Sequence, residues 1–143
     1  MERTALNEAS TFSLVWRTQL QFAPSATAAR NALRGLQLRH VKSHRWPGTI
    51  LLGHGPRASV VTYRAAPEAL PILLEPGSLF AWRSPAYPED LSFSTEEAVC
   101  LATVSHEANA WIFSQSLASA VGQKVTLIRE TMDEREAAYF KSI

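Results

Sequence analysis

Cysteine is almost missing from this 143-residue chain. Cys100 stands alone, so an intramolecular disulfide and a multi-cysteine zinc site are both impossible. Its setting, Ala-Val-Cys-Leu-Ala, is that of a small apolar core residue rather than a reactive thiol. Long hydrophobic runs are lacking too. No window approaches the roughly 18 apolar residues of a membrane span, because Pro, Gly or a charge interrupts each run. The first residues, MERTALNEASTF, carry charges and no apolar stretch, so they do not read as a secretory signal. A cytoplasmic protein with no membrane partner is the expectation. A charge excess is absent as well: 14 basic and 13 acidic residues leave a net charge of +1, which argues against a general nucleic-acid binder. Also missing are a Gly-x-Ser-x-Gly elbow, a His-Glu-x-x-His pair and a Rossmann fingerprint. A non-enzymatic protein without cofactor is expected.

What is present is an ordinary globular composition. A hydrophobic fraction of 46% and a charged fraction of 19% suit a folded chain and not a disordered one. The length suits one domain, residues 1–143, able to bury a core without metal or disulfide. The distribution of charge is uneven. Residues 30–64 contain Arg30, Arg34, Arg39, Lys42, Arg45, Arg57 and Arg64, three histidines and no acid, whereas acids dominate from Glu89 onward. A basic side and an acidic side follow.

Residues 11–22 alternate. Phe12, Leu14, Trp16, Thr18, Leu20 and Phe22 hold even positions, and polar residues hold most odd ones, which predicts a long half-buried strand ended by Pro24. Ser25 is placed to cap a helix over 26–33, with Gly35 as its left-handed terminator. Residues 36–41 predict a short strand, and 42–48 a basic loop carrying Trp46. Residues 49–52 and 59–63, joined by GHGPR, predict a hairpin. Pro67 opens a short helix over 68–74, made irregular by Pro71. Leu79, Phe80 and Trp82 lie before a rigid Pro85/Pro88 connection and Leu91 and Phe93 after it, as flanking strands; residues 99–104 are a buried strand ending in Ser105-His106-Glu107. Residues 114–121 predict a helix stopped by Gly122, and 124–129 a further strand. Thr131 and Glu134 form a capping-box pattern for a helix over 132–141. Strands in the majority with about three short helices give an α+β fold built on a mostly antiparallel sheet.

Two surfaces invite a function. Arg83, Asp90, His106 and Glu107 are polar residues at strand ends. A histidine and a carboxylate within reach of each other would suit acid–base chemistry in a small hydrolase or transferase. Adjacent strand residues point to opposite faces, however, so a structural clamp on the Pro-rich loop is the favoured reading. Arg39, Lys42, Arg45 and Trp46 could grip phosphates and stack a base, or dock an acidic protein surface. His40 and His44 have i, i+4 spacing outside any expected helix, so no metal site is predicted. Gly53-His54-Gly55-Pro56 lacks the Gly-Lys-Ser/Thr ending of a phosphate loop and reads as a turn. Trp16, Trp82 and Trp111 read as core or sheet-face residues.

The strings Leu79-Phe80-Ala81-Trp82-Arg83-Ser84-Pro85, Pro88-Glu89-Asp90-Leu91-Ser92-Phe93 and Ser105-His106-Glu107 resemble a family of small uncharacterised bacterial proteins with Trp-Arg-x-Pro, Pro-Glu-Asp-Leu and Ser/Thr-His-Glu patterns around paired strands. The resemblance covers about residues 79–112, and Ser94-Thr95-Glu96-Glu97 departs from it where a Gly-containing turn is usual. Such domains look like the immunity proteins of polymorphic or contact-dependent toxin systems. That resemblance implies a binding protein that neutralises a cognate toxin by occluding its active site. A basic toxin site would call for Glu89, Asp90, Glu96, Glu97, Asp133, Glu134 and Glu136, and an acidic one for Arg39, Lys42, Arg45 and Trp46.

Overall fold

The computed structural model describes residues 1–17 and 20–141. In chain order the elements are α1 (Glu2–Glu8), β1 (Thr11–Trp16), α2 (Pro24–Leu33), β2 (Gln37–Ser43), β3 (Arg45–Trp46), β4 (Thr49–Ile50), β5 (Ala58–Arg64), α3 (Leu70–Leu74), β6 (Glu89–Ser94), β7 (Val99–Val104), β8 (Asn109–Ile112), α4 (Gln115–Gly122) and α5 (Glu134–Ala138). Six strands form one antiparallel sheet in the order β2-β5-β1-β6-β7-β8, and β3 pairs with β4 in a separate ribbon. The architecture is the expected α+β class, with five α-helical segments rather than about three.

Alternation in β1 decides the layering. Phe12, Leu14 and Trp16 point to one face, where Tyr63 stacks on Phe12 at 5.2 Å between ring centroids and Phe93 sits at 6.1 Å. Helices α1 to α4 close that face with Ala5, Leu6, Ala26, Leu33, Leu73 and Leu117, all buried. Each of these leucines taken from water contributes roughly 1.5–3 kcal/mol, and each alanine less than about 1 kcal/mol. The opposite face carries Ser13, Val15, Val60 and Thr62. There the β3–β4 ribbon lays Trp46 over Val15, Ala58 and Val60 as a second, smaller core. Pro47 and Gly48 turn that ribbon, and Gly48 adopts φ 89°, which only glycine takes freely; a Cβ would also meet Val104 at 3.1 Å.

Several local expectations are corrected. The alternating strand ends at Trp16; Thr18 and Gln19 lie outside the described residues, and Phe22 instead packs edge-on against Trp16 at 4.8 Å. Helix α2 starts two residues early, with Ala23 at its N-cap and Pro24 inside, while Ser25 Oγ donates to the Ala86 carbonyl. Gly35 lies in a 3₁₀ turn over Arg34–Leu36 and is not left-handed. The hairpin expected between 49–52 and 59–63 does not form: β4 pairs with β3, and β5 lies between β1 and β2. Residues 42–48 are not one loop, since β2 runs to Ser43 and β3 follows. Leu79–Ala81 is a 3₁₀ turn whose N-cap Ser78 Oγ accepts from the Phe80 amide at 3.1 Å, not a strand. Residues 124–129 alternate in sequence but meet no strand. The capping box forms two residues later than expected, from Asp133 and Glu136. The glycine-free turn after β6 is made by Thr95, whose Oγ1 accepts from the amides of Glu97 and Ala98 at 3.3 and 3.2 Å.

Candidate partner-binding surface

The two sequence-derived surfaces meet at one buried bond. Asp90 sits where β1 and β6 lose register, between Ser13 and Val15, and adopts φ 55°. Short polar side chains tolerate that left-handed conformation better than others. Its Oδ2 accepts from Trp46 Nε1 at 2.8 Å and its Oδ1 from the Ser105 amide at 2.9 Å. Asp90 and Trp46 are each 1% exposed. Burial pushes the Asp90 carboxyl above its ordinary value; the Ser105 amide and the Trp46 indole pull it down without cancelling that effect. Arg17 completes the surroundings, its guanidinium 5.7 Å from the Trp46 ring centre and 4.0 Å from the Glu89 carboxylate. The β3–β4 ribbon is thus held to the sheet from the inside, and Trp46 has no open face.

The structure does not gather Arg83, Asp90, His106 and Glu107 into one group. Arg83 is exposed in the connection before β6. His106 and Glu107 are more than half exposed on the 3₁₀ turn after β7, with His106 Nε2 3.8 Å from Glu107 Oε1. Asp90 faces inward and bonds the Ser105 amide rather than the His106 ring. Among the described residues no group of three His, Cys, Asp or Glu side chains could hold a metal ion. Burial raises the Tyr63 hydroxyl and the Cys100 thiol above their ordinary values, as expected of core groups, and Cys100 Sγ donates to the Phe93 carbonyl at 3.2 Å.

The acids are scattered. Glu96 and Glu97 are exposed on the β6–β7 turn, Glu89 is half-buried beside Arg17, and Glu134 is exposed on α5. Asp133 and Glu136 are engaged in the reciprocal capping box, with the Glu136 amide 2.9 Å from Asp133 Oδ1 and the Asp133 amide 3.0 Å from Glu136 Oε2. Asp133→Ala should destabilise α5 by about 1 kcal/mol. The readout is faster amide exchange in α5 with an unchanged global unfolding midpoint.

The basic residues, by contrast, follow closely on one another along β2 and β3. Arg39 and Lys42 are exposed on β2, and Arg45 is exposed at the start of β3. Arg39 pairs across β5 with Thr62, Thr62 with Ser13 of β1, and Ser13 with Ser92 of β6, a polar row across four strands. A cavity of about 230 Å³ opens along this region, lined in part by Arg39, Thr62, Ser13, Ser94 and Glu96, with Pro47 of the ribbon as one wall. Sequence reading missed these hydroxyls because odd positions of an alternating strand read as plain solvent face. It also missed Arg17, whose role depends on the Trp46–Asp90 bond.

No family model matches the chain, and neither a curated protein nor a solved structure does. Among the described residues, no helix is long and apolar enough to cross a membrane.

Proposed function

We propose that the protein is a binding protein of the immunity type, which neutralises a cognate toxin in the cytoplasm by covering its active site with the basic edge of the sheet. The observation that carries this reading is the disposition of charge. Arg39, Lys42 and Arg45 are all exposed within a short stretch of chain that contains no acid, while the acids are dispersed or occupied in local bonds. Occlusion needs a complementary face and a few anchors, and requires no cofactor. The Trp46–Asp90 bond supports the reading indirectly, because it fixes the ribbon that bears Arg45 at a defined place beside β2. A rigid charged face loses less on binding than a mobile one.

Co-expression of the adjacent reading frame with this chain tests the proposal. Killing relieved by the wild-type protein, together with a stable complex on a sizing column, is the expected result. Arg39→Glu/Lys42→Glu/Arg45→Glu should slow association by about 100-fold at low salt and abolish protection. Absence of toxicity and of a complex removes the toxin. Full protection by the triple variant moves the contact to another face.

A further inference from the structure

Strand β2 offers more than charge. It is the outermost strand of the six, paired on its inner side with β5 from Gln37 opposite Tyr63 to Ser43 opposite Ala58. Among the described residues no strand pairs with its outer side. Alternate residues of an antiparallel strand turn their N–H and C=O away from the neighbour, so an edge of this length presents about three unpaired sets. Natural sheets blunt such edges by shortness, proline, bulges, a cover or charged side chains. Strand β2 carries the last of these in Arg39 and Lys42, which repel a like-charged strand but not an acidic one. The opposite edge is blunted by shortness, since β8 has only four residues. Strand β2 has seven, no proline, and a register shift confined to its first residues, between Gln37 and Arg39. From Arg39 to Ser43 the ladder is regular and largely exposed.

We infer that β2 takes an extended acidic segment of a partner protein as an added strand of the sheet. This rests on the binding reading above and specifies its mode: main-chain hydrogen bonds supply attachment, and side chains supply selectivity. Pairing with β5 places Arg39 on the face of Thr62, and His40 and Lys42 together on the other face, with Val61 and Ser59. An incoming strand with carboxylates would thus meet a positive charge on each side of the sheet, and opposite charges across strands stabilise a pair. The same rule disfavours a second copy, because β2 against β2 would set the cations Arg39 and Lys42 against each other. A nucleic acid lacks the main-chain groups to complete the ladder, and the aromatic that could stack a base, Trp46, is 1% exposed.

The test uses labelled full-length protein and a capped heptapeptide alternating glutamate with valine. Expected are amide shifts centred on β2 and exchange slowed about tenfold or more in those outward amides. A peptide N-methylated at alternate positions, which keeps the charge and removes one edge of donors, should not bind, and a lysine counterpart should bind only Arg39→Glu/Lys42→Glu. Shifts centred elsewhere, equal binding of the N-methylated peptide, or displacement of the acidic peptide by a short single-stranded oligonucleotide would each overturn strand addition. The outcome is separable from the toxin reading. Protection in cells by a complex whose β2 amides exchange freely would sink strand addition alone, whereas peptide binding without protection would remove only the toxin.

Discussion

Asp90→Ala should lower the stability of the protein by about 4 kcal/mol in urea unfolding. The substitution leaves two buried donors, the Trp46 indole and the Ser105 amide, without acceptors, and each orphaned group costs about 1–3 kcal/mol. Alanine at φ 55° adds strain that aspartate escapes, on the order of 1 kcal/mol. Relief from burying a charge offsets part of this sum. Asp90→Asn keeps the backbone tolerance and one acceptor but turns an NH₂ toward the second donor, so about 2 kcal/mol is expected. Trp46→Phe keeps the ring and leaves Oδ2 unpaired, for a similar loss. The two single changes disrupt the same bond, and their double variant should fall short of additivity by about 1–2 kcal/mol. Strict additivity would mean that the bond does not hold the ribbon.

The same carboxyl fixes a pH dependence. Its pKa in the folded protein lies above the ordinary carboxylate value because burial outweighs the two bonds. The folded state then binds more protons than the unfolded state between those two values. Stability from this group is complete below the unfolded pKa and is lost as pH rises through the folded one. Asp90→Asn has no such group, so the wild type's advantage over it should be largest in acid and shrink toward neutrality. An advantage that grew with pH would place the carboxyl below its ordinary value.

How much of this was legible follows the range of each interaction. The period of two in β1 announced Phe12, Leu14 and Trp16 as core, and the apolar run of β7 announced a buried strand, because both signals are local. The basic stretch was also visible, since a run without acids needs no fold to be seen. The Trp46–Asp90 bond joins residues 44 positions apart, and nothing in spacing encodes it. From spacing alone Thr49 and Ile50 read as partners of β5, their nearest strand in sequence, whereas they pair with the strand that Trp46 anchors. The alternation over 124–129 shows the converse: periodicity describes a strand's faces but does not supply a neighbour. That β2 lies at an edge depends on the order of all six strands, so the exposure of Arg39 and Lys42 could be argued only from topology.

Trp82→Ala should cost about 4 kcal/mol, within the range for truncating a fully buried large aromatic. Trp82 is 0% exposed, its Nε1 donates to the Leu73 carbonyl at 3.1 Å, and its ring lies 5.0 Å from that of Tyr87. It fastens the long connection between α3 and β6, whose only regular piece is the turn Leu79–Ala81. Its main chain matters as well: the Trp82 carbonyl accepts from the Asp90 amide at 3.3 Å, which helps set the left-handed residue in place. A cavity at Trp82 should therefore loosen both the connection and the Asp90 clamp. Limited proteolysis would report faster cleavage between residues 75 and 88, with amide exchange at Asp90 rising in parallel. Trp82→Phe fills most of the space and orphans only the Leu73 carbonyl, so about 1–2 kcal/mol should be lost. Strand β2 lies at an edge of the sheet, separated from β6 by β1 and β5. Partner affinity through Arg39 and Lys42 should consequently stay within about twofold in either variant, since distant independent sites seldom couple. A large loss of binding in Trp82→Phe would instead mean that the occluding face includes this connection.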